Sequence, residues 1–344
     1  MSVIAKHNAG FFSCCSVKLN HIVDYININS KLPTYVDSSV QFAWYKKENR
    51  DITYDYFEHY DNINDVDIND VDTNNFIDYN CRQQFIEYSN LDYKNTKPLI
   101  KKYFYPSRQI VGFIKDIEDK YRLDYDNICV LFYRGNDKIT ETKICEYDEY
   151  LVYANYVMKK NPNILFLIQS DETEFINFMS ENFPNNSFYF KDKIRHMNKC
   201  NSTVDIVMKN DNFEFSKYYL AITIIMSKCK YVICGSGNCS FWIVLYRGNN
   251  NNVFQNLNGS WLFNNELLHN EIDHCDSDWK LIANEGDKIL SFGLYEHIRY
   301  GFGNNWLYAC NLYKHFEVSN LHFNKDPVPG FKKQLHVCLK CKNQ

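Results

Sequence analysis

Three short apolar runs, each closed by polar residues and followed by a helical pattern, constrain this chain more than any other feature. Ile128 to Phe132, Ile164 to Ile168 and Tyr231 to Cys234 are too short for lone helices and are bounded by turn formers. They read as buried strands. Tyr147 to Lys160 is helical by pattern and ends before Pro162, Phe175 to Met179 is amphipathic, and Phe241 to Leu245 opens a further helix. Strand, polar tip, helix, repeated in this way, is the rhythm of a doubly wound parallel sheet, which binds ligands beyond the carboxyl ends of its strands. Ser187 to Phe190 reads as another strand and Tyr218 to Met226 as another helix.

The chemistry therefore belongs at the tips. The first reads Tyr133-Arg134-Gly135-Asn136-Asp137-Lys138. An arginine fork suits a phosphate and a nearby carboxylate can orient it. The same residues also make an ordinary surface Arg–Asp pair, and on these residues alone both readings stand. The second tip is Gln169-Ser170-Asp171-Glu172, and the third is Gly235-Ser236-Gly237-Asn238-Cys239-Ser240. Small hydroxyl residues at a helix N-terminus offer an anion seat of backbone N–H groups and dipole. No Gly-Lys-Ser/Thr follows, so it is not a Walker loop.

Upstream, Gly10 to Ser16 reads as a small-residue turn before a helix over Val17 to Ile26, and Val40 to Tyr45 as a strand. Ile100 to Tyr121 reads as helix, with a start signal at Pro106-Ser107. Residues 60 to 79 are an acidic insertion dense in Asp and Asn. It lacks the glycine and closing glutamate of a calcium loop and reads as a solvated segment.

Composition narrows the partners. Net charge is -4, with 38 basic and 42 acidic residues, which argues against nucleic acid or an anionic membrane as partner. The N-terminus has no apolar signal region and no apolar stretch reaches bilayer length, so no membrane insertion is expected. The 13 cysteines are scattered rather than framed, as expected of reduced thiols in a cytoplasmic protein. Abundant Asn suits an AT-rich genome such as that of a large DNA virus.

Taken in order, the three tips resemble the donor-binding half of the α1,2/α1,6/protein-O-fucosyltransferase superfamily, over roughly residues 100 to 250. Its first motif, a strand ending His-x-Arg-Arg/Gly-x-Asp-Lys/Tyr, is matched at Arg134, Asp137 and Lys138 and departs at the His, which is Phe132. Its Thr/Ser-Asp-Asp motif is matched by Ser170-Asp171-Glu172. Its apolar strand, Ser-rich turn and aromatic helix are matched by Ser227 to Trp242. The Asp that the family places before this third motif falls near Ile222 and Thr223.

The resemblance implies a GT-B fold, two facing Rossmann-like domains with a parallel sheet. It also implies inverting transfer of a sugar from a GDP-sugar, GDP-fucose first among them, to a glycan hydroxyl, with no metal and no cofactor. In that reading Arg134 neutralises the leaving diphosphate and Asp137 holds Arg134. Lys138, Ser170, Asp171, Glu172, Ser236, Gly237, Asn238 and Ser240 bind the donor. An inverting transfer also needs a base. With a one-residue gap, the α1,6 branch's glutamate falls on Glu141 and its following acid-Tyr segment on Asp148-Glu149-Tyr150. The departures at Phe132 and Ile222 leave two alternatives open: another nucleotide sugar on the same fold, or a glycan-binding or structural protein that has lost catalysis.

A different composition begins near Asp273. Glu285-Gly286, Arg299-Tyr300-Gly301, Trp306, Ser319-Asn320 and Asp326-Pro327-Val328-Pro329-Gly330 are similar to a small β module attached to exported bacterial carbohydrate-active proteins. The cysteines paired in that module are absent here. Arg299, Tyr300 and Trp306 are a candidate sugar platform or, equally, the module's own core. His336, Cys338 and Cys341 offer three metal ligands where a tetrahedral zinc site wants four, so no metal site is assigned. The expected organisation is an acceptor-side α/β domain over residues 1–120, a donor-binding domain over 121–268 and a β-rich accessory module over 269–344.

Overall fold

The computed structural model of the chain describes residues 2–63, 73, 75–264, 279–289, 297–303, 305–309, 316–321, 323 and 326–338. The centre of the acidic insertion, residue Asp273 and Cys341 lie outside them. The chain divides into two compact units, residues 1–250 and 251–344.

The first unit opens with strand β1 (Ser2–Ile4), helix α1 (Phe11–Asn29) and strand β2 (Tyr35–Asp37), and the two strands pair in parallel. Among the described residues three α-helices follow: the single turn α2 (Thr53–Tyr56), α3 (Tyr93–Tyr103) and α4 (Arg108–Tyr121). The parallel sheet is then built from β3 (Ile128–Tyr133), α5 (Tyr147–Lys160), β4 (Leu165–Ser170), α6 (Thr173–Asn182) and β5 (Ser187–Phe188). It is completed by the short α7 (Val204–Val207), α8 (Asn212–Lys228), β6 (Tyr231–Gly235) and α9 (Asn238–Arg247). Within this unit the sheet strands run in the order β5-β4-β3-β6, all parallel. In the second unit β7 (Val253–Leu257) and β8 (Ser260–Asn264) pair antiparallel. The protein is thus of the expected α/β class.

The centre of the sheet follows from its apolar runs. Every residue of β3 is buried, and it is flanked by the buried apolar runs Phe166 to Ile168 of β4 and Tyr231 to Cys234 of β6. Burying a Val, Leu, Ile or Phe side chain contributes roughly 1.5–3 kcal/mol. Helix α8 is buried over the whole stretch from Leu220 to Ser227, because it packs against both α4 and α9. It therefore shows no polar face along that stretch, as expected of an interior helix.

Three local expectations are revised. Gly10 is the N-cap of α1, so Phe11 to Ser16 are the helix's first turns and not a loop. Val40 to Tyr45 is not a strand; it is a bend into a 3-10 turn over Ala43–Tyr45, with Phe42 at φ 61°. Ring packing explains this: Phe42 and Tyr45 lie 5.3 Å and 5.7 Å from the Phe11 ring, within the range where aromatic edges and faces attract. Ile100 to Tyr121 is broken: Ile100 to Tyr103 form the last turn of α3, capped at Phe104, and Ser107 caps α4 by accepting from the Ile110 N–H.

The second unit carries β9 (Trp279–Asn284), β10 (Lys288–Ile289), β11 (His297–Phe302), β12 (Asn305–Ala309), β13 (Phe316–Glu317) and β14 (Gln334–Cys338). Four of these form an antiparallel sheet in the order β12-β11-β14-β9. Alternation sends Ile298, Tyr300, Leu335 and Val337 into a core with Val318 and Phe323.

Candidate functional site

Phe132 pairs in register with Gln169, so the period of two carries Phe132 and Arg134, and Gln169 and Asp171, to one face of the sheet. Arg134 leaves the end of β3 and donates from Nε to Asp171 Oδ2 at 2.8 Å. Its two terminal nitrogens donate to Asp137 Oδ1 at 3.1 Å and to the Tyr219 hydroxyl at 3.4 Å. Burial works against the guanidinium charge, but Asp171, Tyr219 and Asp137 outweigh it and hold the group well above its ordinary pKa. Of the five N–H groups on an arginine fork, these three bonds leave two for a ligand.

The loop after Arg134 is fixed by the second tip. Gly135 N–H donates to Asp171 Oδ1 at 3.2 Å, and Asn136 N–H to Glu172 Oε1 at 2.6 Å. The Asn136 carboxamide donates to the Asp171 carbonyl and accepts from the Cys200 N–H. The fully buried Glu172 also accepts from the Tyr147 hydroxyl at 2.5 Å. A Cβ on Gly135 would stand 1.9 Å from Glu172 Oε1, so the loop closes over that carboxylate only with glycine. The Ser170 hydroxyl accepts from the Glu172 N–H and shapes the turn.

The third tip lies against the first. Lys138 is buried, and a Cβ on Gly237, the N-cap of α9, would meet its Cε at 3.3 Å and its Nζ at 3.6 Å. Its ammonium pairs with Glu141 Oε2 at 2.5 Å. Burial pushes the Cys239 thiol up to about 11, against the downward pull of Tyr219, Thr223, Arg134 and Lys138. Lys138 therefore lies against the first turn of α9, and Arg134 reaches Tyr219 of α8 beside it. Ser236 is buried at this turn. The Asn238 side-chain Oδ1 accepts from Ser16 Oγ, and the fully buried Ser240 donates to the Gly235 carbonyl at 2.6 Å. These last two side chains brace the turn.

Beside the fork an open cleft holds about 490 Å³ of empty space. Its walls are Phe132, Gln169 and Asp171 from the strands and Phe215, Tyr219 and Ile222 from α8, with Lys193, Ile194, Arg195, Val204 and Asp205 closing the sides. Phe215, Tyr219 and Ile222 recur at helical spacing along one stripe of α8. The two departures from the motif pattern, Phe132 and Ile222, thus meet in one cleft. Arg195 is held there by Asp205 at 2.5 Å and Asn212 at 2.6 Å.

The structure therefore gathers Arg134, Asp137, Lys138, Glu141, Asp171 and the turn at Ser236 and Gly237. Sequence reading did not single out Tyr219, Asn136, Tyr147 or Gln169 at this site. Gln169 had a signal, a polar residue directly closing an apolar run; Tyr147 and Tyr219 had none, because their roles depend on helix packing. The candidate sugar platform belongs to the other unit and separates into two parts. Tyr300 is fully buried, stacked on Phe323 at 4.2 Å, while Arg299 lies between the Trp279 and Trp306 rings at 4.4 Å and 4.1 Å. His336 is part of this stack, 3.2 Å from Arg299. Among the described residues no cluster of three or more His, Cys, Asp or Glu side chains could hold a metal, and no helix is long and apolar enough to cross a membrane.

No protein-family model matches the chain, and no curated protein sequence does. Solved structures with some likeness include NodZ alpha-1,6-fucosyltransferase soaked with GDP-fucose, at 13% identity over 71% of this chain and 92% of that one, TM-score 0.40. Fucosyltransferase NodZ from Bradyrhizobium aligns at 12% identity over 70% and 91%, TM-score 0.39. An Arabidopsis thaliana FUT1 mutant in complex with GDP aligns at 9% identity over 46% and 35%, TM-score 0.31. At these TM-scores the likeness assigns no residue of this chain a role.

Proposed function

We propose that the protein is a glycosyltransferase that takes a sugar from a nucleoside diphosphate donor, in the manner of the fucosyltransferases its motifs resemble, and passes it to a glycan hydroxyl. The observation that carries this reading is that two cations stand at the carboxyl edge of a parallel sheet, Arg134 in its fork of carboxylates and Lys138 against Gly237 at the N-terminus of α9. Cleavage of a sugar–diphosphate bond leaves negative charge on the outer phosphate. Fixed cations and a helix N-terminus that need no reorganisation lower that barrier. Asp171 and Asp137 fix the plane of the Arg134 fork, so that its remaining N–H groups are pre-aimed. GDP-fucose is the donor we put first, and we propose transfer without a divalent metal.

Glu141 is the base in this reading. Its carboxylate is exposed and is held by the Lys138 ammonium, three residues back in the same loop. As the sugar leaves, Lys138 would serve both the base and the phosphate. Glu141→Gln is expected to lower kcat strongly while leaving nucleotide binding intact.

One observation favours a second reading: Arg134 is already matched by two carboxylates, and Phe132 and Ile222 make the cleft more apolar than the motif pattern implies. A glycan- or nucleotide-binding protein without turnover would tolerate both. A donor-hydrolysis screen over GDP-fucose, GDP-mannose and common UDP-sugars decides between them, run beside thermal shift with pyrophosphate, GDP and UDP. Turnover of any donor, lost in Arg134→Lys, supports the enzyme. Nucleotide stabilisation without turnover supports the binding protein, and the absence of any response to pyrophosphate or nucleotides rules out both.

A further inference from the structure

We propose that Gln169 reads the base of the nucleotide, in place of a charged group. The inference rests on the nucleotide-donor reading above and adds the residue that sets base preference. Gln169 lies in the interior of β4, is 5% exposed, and borders the cleft. Its carboxamide oxygen has no hydrogen-bond partner. A buried polar group without a partner is rare, because it forfeits its bonds to water and gains none in return. Here it sits beside Phe132 in register, opposite the stripe of Phe215, Tyr219 and Ile222 on α8. Apolar and aromatic walls with one unsatisfied carboxamide suit a flat heteroaromatic ring with a hydrogen-bonding edge.

The position along the strand fits as well. Two residues further on, the same face presents Asp171 and, on β3, Arg134. Two strand residues advance about 6.6 Å, so a base on Gln169 would trail its phosphates toward the fork and Lys138. The carboxylates of the cleft are engaged elsewhere, Asp171 with Arg134 and Gly135, and Asp205 with Arg195 and Tyr45. That leaves the neutral amide as the reader. A carboxamide supplies both an acceptor and donors, so it accepts the carbonyl-and-N–H edge of uracil as readily as that of guanine. A carboxylate accepts only, which fits the paired N–H donors of guanine and repels the uracil carbonyl.

The test is a binding series by calorimetry on the full chain, with pyrophosphate, UDP, GDP, ADP and CDP, for the wild type, Gln169→Leu and Gln169→Glu. The wild type is expected to bind its best nucleotide on the order of ten-fold more tightly than pyrophosphate, from two added hydrogen bonds. Gln169→Leu should erase the ranking among bases and leave pyrophosphate affinity unchanged. Gln169→Glu should move the ranking toward GDP and away from UDP. An unchanged base ranking in both variants, with pyrophosphate still bound, overturns this proposal alone. Failure of the wild type to bind pyrophosphate or any nucleotide overturns it together with the donor reading.

Discussion

Arg134 and Arg299 are the same side chain held in two different ways. Arg134 is held in the plane of its fork, by carboxylates at 2.8 Å and 3.1 Å. Arg299 is held across that plane, by the faces of Trp279 and Trp306. In-plane partners fix direction and leave the remaining N–H groups aimed, which is what recognition of a phosphate needs. Face partners bury the flat surface and make the guanidinium a spacer between indoles, which is packing. A third cation, Lys18, lies in the interior of the first unit 5.7 Å and 5.2 Å from the Phe57 and Phe104 rings. Burial pushes its pKa down to about 8. Charge alone does not mark a site; the geometry of what satisfies it does.

The contrast can be broken most sharply at Arg134 itself. Arg134→Ala leaves the buried Asp171 carboxylate uncompensated and is expected to lower stability by about 3–5 kcal/mol in urea denaturation. Arg134→Lys, which keeps charge without the fork, should retain most of the fold and lose pyrophosphate affinity. A lysine variant that binds pyrophosphate as well as the wild type would show that the in-plane geometry is immaterial.

Lys18 sharpens the comparison through pH. Its folded pKa lies below the ordinary lysine value of 10.5, so the unfolded chain holds the proton over a range where the folded chain has released it. Lys18 should therefore add stability as pH climbs from about 8 toward 10.5, by up to about 3 kcal/mol, while buried thiols such as Cys15, Cys129 and Cys234, pushed up by burial, act the opposite way above about 9. Lys18→Met should remove the Lys18 contribution, seen as a difference between the two proteins' pH slopes. Equal pH slopes in the two proteins between pH 8 and 10 would contradict the assignment.

Smaller effects follow at the loop and in the second unit. Gly135→Ala drives a methyl into the Glu172 carboxylate and should destabilise by roughly 1–3 kcal/mol while also misaligning Arg134. Arg299→Ala should cost only about 1 kcal/mol, seen as a change in tryptophan fluorescence, and leave nucleotide affinity untouched. Were it to weaken nucleotide binding as much as Arg134→Lys does, the division between recognition and packing would fail.

The C-terminal motif residues illustrate how sequence patterns split once folded. Glu285, Asn320 and Asp326 meet around Tyr300 and Lys333: Tyr300 donates to Asn320 at 2.9 Å, and Lys333 pairs with Asp326 at 2.9 Å and Glu285 at 3.6 Å. In this chain they form an internal polar network. The lysine of that network is Lys333, since its neighbour Lys332 is exposed.

What the sequence determined by itself was local and periodic. Apolar runs of five or so residues specified the strands β3, β4 and β6, because only a buried strand satisfies so short a run. Polar residues closing those runs placed Arg134, Asp171 and the Gly235 to Ser240 turn at one edge of the sheet. Tertiary structure decided everything that depends on distant partners. It turned Val40 to Tyr45 from a strand into a bend, because ring contacts with Phe11 outweighed an extended pattern. It brought Tyr219 to Arg134, Lys138 to Gly237 and Ile222 to Phe132 across gaps of 80 residues or more. Such contacts depend on strand order and helix packing, which no short stretch of sequence encodes.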